Sequence, residues 1–345
     1  MWLKIRIYAK FWTQLIKTRE SINQKTNRYN TNIDRQSLTS VTKKDMKITP
    51  QQLHIPVLLD DVVRLLAPKK GETYLDLTAG YGGHASEVIS RIGDEKFATL
   101  VDRDAFAISK LQEKFPAARI IHDDFANCVK TTDEHFDMIL LDLGVSSVQF
   151  DFGERGFSFR TDAPLDMRMD VDQTLTAAKI LASYSEKDLV RIFTEYGEEK
   201  GGISRRLAHE IVLTRRKQPI QTTGQLANLV IQIVGHSDGG RWHKTHPATK
   251  IFQALRIAVN DELGQLSRAL EGVSRILNPD GRLAIITFQS LEDRLVKHFL
   301  RDHDAGRDLE QDFRILTKKP IEGKLNDVNN PRARSAKLRA AFKIK

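Results

Sequence analysis

The sequence predicts an α/β protein whose parallel sheet is interrupted by a helical insertion and then completed. Three observations carry that reading. Short apolar runs alternate with helix-period segments from Thr73 to about Gln149, the alternation gives way to purely helical patterns up to roughly Thr245, and it resumes from Pro247. The 345 residues exceed the usual single-domain range, and a 40% hydrophobic content suffices for a sizeable core. The domain limits expected from this pattern are a disordered or dispensable extension (1–45), a first part of the core (46–149), a helical insertion (150–245) and a second part of the core (246–345).

Taken in order, ETYLDLTAG is a strand entering a glycine loop, HASEVISRI a helix, FATLVD a strand, DAFAISKLQEKF a helix and DMILLDLG a further buried strand. The insertion offers EKDLVRIFTEYG, ISRRLAHEIVLTRRK and TTGQLANLVIQIV, all with helical spacing. Pro247 then marks a helix start, and Phe252, Leu255, Val259, Leu263, Leu266, Leu270, Val273 and Leu277 form one long apolar stripe, which is core packing. NPDG reads as a turn into the strand RLAIITF, and FRILT and LRAAFKI are two closing strands.

Composition narrows the function classes. The single cysteine, Cys128, excludes a disulfide framework and a thiolate zinc site, and reads as a buried filler. No Cys or His cluster would hold a metal, and no run reaches the roughly 18 to 20 apolar residues of a membrane span. The net charge of +9 is unevenly placed: residues 1–45 hold 10 Lys and Arg against 3 acids, leaving 44 bases and 42 acids for the rest. An RNA surface must therefore be argued from local clusters rather than from the overall pI. The tail begins with an amphipathic, basic stretch suited to an organelle transit peptide, or it is a dispensable extension upstream of Met46. The location expected is cytoplasmic, with a mitochondrial matrix or other organelle as the alternative.

The chemistry concentrates where strands end. After Asp76 the loop runs Thr78-Ala79-Gly80-Tyr81-Gly82-Gly83-His84, glycines that let the backbone approach a ligand at a helix start. A dinucleotide loop would read G-x-G-x-x-G for a pyrophosphate, whereas a strand-end acid and G-x-G-G suit a cationic or hydroxylated ligand. Asp102 ends the next strand, where an acid accepts both ribose hydroxyls of a nucleoside. Together these favour S-adenosylmethionine over a nicotinamide cofactor. Asp124-Phe125 follows the third strand, placing a ring against an adenine, and Asp142 ends the fourth, where an acceptor is presented. His84 is a cofactor contact or simply a first-turn helix residue.

At DLGVSSVQFDFGERGFSFRTDAPLDMRMD the chain resembles the cytosine-N4 methyltransferases of small-subunit ribosomal RNA, the RsmH or MraW type. The resemblance spans His54 to Arg339 and includes HIPVLLDDV, TAGYGGH, VDRD, YGEE, HPATKIFQALRIAVNDEL, SLEDRLVK and NPRARSAKLR. It implies a Rossmann-like S-adenosylmethionine domain interrupted by a small helical domain, acting near the decoding centre. Carried over by position, the cofactor residues are Gly82, Gly83, His84, Asp102, Phe125, Asp142 and Gln149. The family usually has Pro at Val148, His at Gln289, and Arg with bulkier residues at Lys200-Gly201-Gly202. Glutamine still hydrogen-bonds but is no base. Ser290 with Asp293 also reads as a helix cap.

A cytosine amine is a poor nucleophile because its lone pair is delocalised into the ring, so acceptors must hold its two protons. The residues expected to do so are Asp142 with Ser146 or nearby backbone carbonyls, and Asn260 as a lesser helper. RNA contacts are expected from Arg155, Arg160, Arg215 and Arg216 of the insertion, with Arg205, Arg206 and Lys217 nearby, and from Arg332, Arg334 and Lys337 near the end of the chain. Phe157 and Phe159 stack on bases or fill a loop core. The partner is small-subunit rRNA or the assembled small ribosomal subunit, with a homodimer as a further expectation. Competing readings are a methyltransferase with another acceptor, an rRNA-binding assembly factor without catalysis and, more remotely, a nicotinamide oxidoreductase.

Overall fold

Among the described residues, eight strands make one sheet, in the order Arg119–His122 (β3), Ala98–Asp102 (β2), Tyr74–Asp76 (β1), Phe136–Asp142 (β4), Leu277–Thr287 (β5), Lys337–Lys343 (β8) and Phe313–Ile315 (β6), with Ile321–Glu322 (β7) paired to β8. The computed structural model describes residues 56–144, 155–235, 246–306 and 311–344; the rest of the chain, including the expected extension 1–45, Ser146, Val148 and Gln149, lies outside the described residues. All described residues belong to one compact unit, His54–Lys345.

The first half alternates as the apolar runs predict. Helix α1 (Leu59–Leu66) precedes β1 (Tyr74–Asp76), α2 (Gly83–Ile92), β2 (Ala98–Asp102), α3 (Ala105–Lys114), β3 (Arg119–His122), α4 (Phe125–Thr131) and β4 (Phe136–Asp142). Strands β1, β2, β3 and β4 are parallel, and β1 is buried along its length because helices cover both faces. Asp104 and Asp124 cap α3 and α4 by accepting the backbone N–H of Phe106 and Asn127.

The second half contains α5 (Ala177–Ser183), α6 (Glu186–Glu195), α7 (Gly201–Lys217), α8 (Thr223–Gly235), α9 (Ala248–Asn260), α10 (Glu262–Ile276), β5 (Leu277–Thr287), α11 (Ser290–Asp302), β6 (Phe313–Ile315), β7 (Ile321–Glu322), α12 (Gly323–Asn326) and β8 (Lys337–Lys343). The long apolar stripe is not one helix. Asp261 adopts a left-handed conformation (φ 48°) and divides it into α9 and α10. The two halves then bury into different cores: Ile251, Phe252 and Leu255 join the helices of the insertion, while Leu266, Leu270 and Val273 pack on the sheet. Hydrophobic spacing is blind to a one-residue break that leaves the periodicity nearly in phase.

Two closing features also differ from expectation. NPDG lies within β5 as an irregularity: Leu277 pairs with Phe136, the register shifts, and Arg282 pairs with Met138. The sheet is not wholly parallel, since β8 runs antiparallel to β5 and β6. The strand order reverses between β1 and β4, a topological switch point outside whose carboxyl ends open α/β sheets bind ligands.

Candidate functional site

Three acids stand at the carboxyl edge, each ending its strand, and their surroundings separate their roles. Asp76 is almost fully buried and accepts from the Tyr74 hydroxyl at 2.8 Å and the Thr78 N–H at 3.2 Å. Burial raises its pKa to about 7 against the pull of those two hydrogen bonds. Its oxygens are turned into the protein, so Asp76 supports the loop.

Asp102 accepts the Gly80 N–H and the Asp104 N–H, each at 2.8 Å, one on each oxygen. This ties the glycine loop to the end of β2 and leaves each oxygen a second lone pair. Burial raises its pKa despite those bonds.

Asp142 differs from both. Its Oδ1 is buried and, among the described residues, has no hydrogen-bond partner, while Oδ2 lies 3.6 Å from His84 Nδ1. Its N–H is held by Thr78 Oγ1 at 2.6 Å, which joins the ends of β1 and β4. Desolvation first, then the nearby Asp76 and Glu292, raise its pKa well above the usual carboxylate range. A buried acceptor without a donor is costly unless a ligand supplies one.

The loop between these acids is shaped for close approach. Gly82 has φ 69°, and a Cβ there would sit 2.4 Å from the Phe115 ring; a Cβ on Gly83 would sit 2.8 Å from Pro56. Lys114, which sequence reasoning missed, donates to the carbonyls of Gly82 and Tyr81 from α3 and holds the loop from behind. Buried His84 lies within α2, with Nε2 against the Val57 carbonyl at 2.9 Å. Phe125 is half-buried at the start of α4. An orphaned acceptor beside a glycine loop packed tightly on Phe115 and Pro56, with a second acid free to accept hydroxyls, fits a nucleoside-bearing cation.

Several expected contacts are spent inside the protein. Asn260 gives both amide hydrogens to the carbonyls of Met167 and Arg256 and accepts the Met169 N–H, so it clamps the 167–169 segment onto α9. Arg155 pairs with Asp104 at 2.7 Å and donates to the carbonyls of Arg168 and Met169. Arg215 closes the end of α5 through the carbonyls of Leu181 and Tyr184. Lys337 pairs with Asp293 at 3.0 Å, as does Arg339 at 2.7 Å. Phe157 is buried and Phe159 packs on Phe252 and His246, so both fill a core. Arg160, Arg216 and Arg334 keep exposed side chains, and Arg332 is half-buried. Near α7 an open groove of about 570 Å³ is lined by Arg205, Arg206 and His209 among others.

At the start of α11 the cap is Gln289, one residue earlier than expected. The Glu292 carboxylate accepts the N–H groups of Phe288 and Gln289, whereas Asp293 is taken by Lys337 and Arg339. Burial raises the Glu292 pKa to about 7, with Glu262 adding to the shift and Arg256 opposing it. Cys128 is a buried filler on α4, its thiol pushed up to about 11 by burial. Arg103, which sequence reasoning also missed, reaches from the end of β2 to the Asn260 carbonyl and the Gln173 side chain.

The model of the MraW methylase family matches residues 51–344. The chain belongs to that family. It is 48% identical over 293 residues to the ribosomal RNA small subunit methyltransferase H of Picosynechococcus, covering 84% of this chain and 96% of that one. The enzymes of the same name from Synechocystis and Halothermothrix orenii are 47% and 42% identical, each over 84% of this chain and 93% and 98% of theirs. A solved rRNA methylase from Streptococcus thermophilus has a TM-score of 0.38 at 10% identity over 83% of this chain and 94% of that one. The carboxyl edge described above is therefore the edge of a methylase, and no helix among the described residues of this MraW-family chain is long and apolar enough to cross a membrane.

Proposed function

We propose that the protein transfers a methyl group from S-adenosylmethionine to the N4 amine of a cytidine in small-subunit rRNA. The observation that carries this reading is Asp142 Oδ1, a buried acceptor with no described partner at the switch point of a MraW-family methylase. The names of the curated relatives support the choice of substrate.

When bound, S-adenosylmethionine supplies an electrophilic methyl on a sulfur that leaves as a neutral thioether. Asp102 has the lone pairs to accept two ribose hydroxyls, and Gly82 and Gly83, packed against Phe115 and Pro56, hold the loop beside it. Phe125 offers a ring beside the third strand, His84 lines the loop, and Gln149 completes the set carried over by position. Asp142 Oδ1 accepts one proton of the cytosine amine, which draws the nitrogen lone pair out of the ring. Burial and its acidic neighbours make Asp142 a strong base once ionised, suited to taking that proton as the new N–C bond forms. Ser146 or a nearby backbone carbonyl holds the second proton. Asn260 acts at one remove, by clamping the 167–169 segment.

The exposed Arg160, Arg216 and Arg334 meet the RNA backbone, with the assembled small subunit as the substrate. The test is labelled methyl transfer to purified small subunits and to free rRNA, followed by nucleoside analysis. N4-methylcytidine formed on the subunit is the expected product. Methylation at ring C5, or only on protein, overturns the substrate assignment, and binding without turnover favours an assembly factor.

A further inference from the structure

The strings YGEE, HPATK and SLEDR lie far apart in the chain. In the structure they meet at Glu198. The residue sits in the turn after α6 with φ 47°, a left-handed conformation rare for a side chain of this size. Its Oε1 accepts from Arg294 at 3.1 Å and its Oε2 from the Ser290 hydroxyl, both on the first turns of α11. The Glu198 carbonyl accepts from Lys250 of α9 at 3.2 Å, and Lys250 also pairs with Glu199 at 3.6 Å. Preceding it, Gly197 is packed so closely that a Cβ would sit 2.7 Å from the Phe193 carbonyl and 2.9 Å from that of Lys250. Gln253 donates to the Tyr196 carbonyl at 3.2 Å.

What Glu198 grips is the rim of the site. Only Phe288 and Gln289 separate the end of β5 from the start of α11, and β5 pairs Ile286 with Asp142. The Leu143 N–H bonds the Ile286 carbonyl, and the Phe288 ring lies 3.5 Å from where a Gly144 Cβ would be. The turn of the helical insertion is thus tied to the segment that flanks the loop after β4. An ion pair as exposed as Glu198 with Arg294, 38% and 57%, adds little to stability. Backbone strain held by such a weak pair points to geometry as its use.

We propose that Glu198 is a positioning residue: it fixes the helical insertion against the rim beside Asp142, so that RNA held by the one presents its base to the other. This rests on the rRNA reading above. It gives one side chain of the insertion a role in acceptor placement and none in cofactor binding.

The test uses the full chain with purified small subunits. Glu198→Gly relaxes the left-handed backbone while removing both carboxylate contacts, and Glu198→Gln keeps an acceptor for Ser290 without the charge. The expected result for Glu198→Gly is a KM for the subunit raised about tenfold, the size of one charge-assisted hydrogen bond, with S-adenosylmethionine affinity by calorimetry and the melting temperature unchanged. Glu198→Gln should recover part of the loss. An unchanged KM overturns the proposal, as does a parallel fall in cofactor affinity and melting temperature, which would make the contact merely structural. Absence of methyl transfer by the unaltered protein would instead defeat the rRNA reading, so the two failures are distinguishable.

Discussion

The carboxyl edge of the sheet and the helical insertion both carry charged side chains, yet they use them in opposite ways. At the edge, Asp142 ends a strand with one buried oxygen unpartnered among the described residues, and Asp102 keeps a spare lone pair on each oxygen. In and around the insertion, Arg155 and Arg215 have their guanidinium groups drawn onto backbone carbonyls. A parallel strand ends with its side chains directed out of the sheet, where no element follows to satisfy them. A bundle of short helices instead leaves C-terminal carbonyls that need donors, and arginine is long enough to reach them. Charge type therefore says less about function than whether the topology leaves lone pairs unused.

The largest expected effect tests the edge. Asp142→Ala should lower methyl transfer about 100-fold or more, since it removes an acceptor used as the transition state forms. Its melting temperature should hold or rise, because a carboxylate whose buried Oδ1 has no hydrogen-bond partner among the described residues is lost. Full activity in nucleoside analysis would place the acceptor elsewhere and erase the contrast between the two regions.

Arg155→Ala tests the other side of the comparison. It removes the ion pair to Asp104 and the donors to two carbonyls, so urea denaturation should show a loss of about 2 kcal/mol. The salt dependence of RNA binding should stay as it is, because the guanidinium is already spent. A shallower slope of log affinity against log salt would return Arg155 to the RNA surface.

Asp102→Ala should weaken S-adenosylmethionine binding tenfold or more by calorimetry, through lost hydroxyl contacts and a loosened Gly80. Wild-type affinity in that variant would move the ribose off β2.

The smallest effect is on stability against pH. Asp76, with its folded pKa raised to about 7, above the usual carboxylate range, binds a proton more tightly when folded. Its stabilisation is full below the unfolded pKa and is lost as pH rises through about 7. Asp76→Asn should flatten that decline in apo-protein melts at pH 5 and pH 8. Identical slopes for the two proteins would mean that Asp76 is not buried as described.

Much of this was legible in the sequence, and for definite reasons. Strand ends are marked by an acid after an apolar run, because a buried strand tolerates no charge until it leaves the sheet, and Asp76, Asp102 and Asp142 all end strands. Gly82 was legible because its left-handed backbone, pressed on Phe115, admits little else. The MraW-type strings identified the family because they are long and unusual, and the match over residues 51–344 bears that out.

Other features were decided only by the fold. Asp261 splits an unbroken apolar stripe, since one left-handed residue redirects the chain without altering the spacing on either side. Nothing local distinguishes Asp76, turned inward to Tyr74 and Thr78, from Asp142, whose Oδ1 is left without a partner. Nor does any local signal separate Arg155, bound to carbonyls 13 and 14 residues away, from exposed Arg160. Residue type and period are properties of the chain, so the sequence determined the elements, the strand-end acids and the family. Whether a polar atom has a partner depends on which distant segment arrives beside it, and that is settled only when the sheet and the helices close.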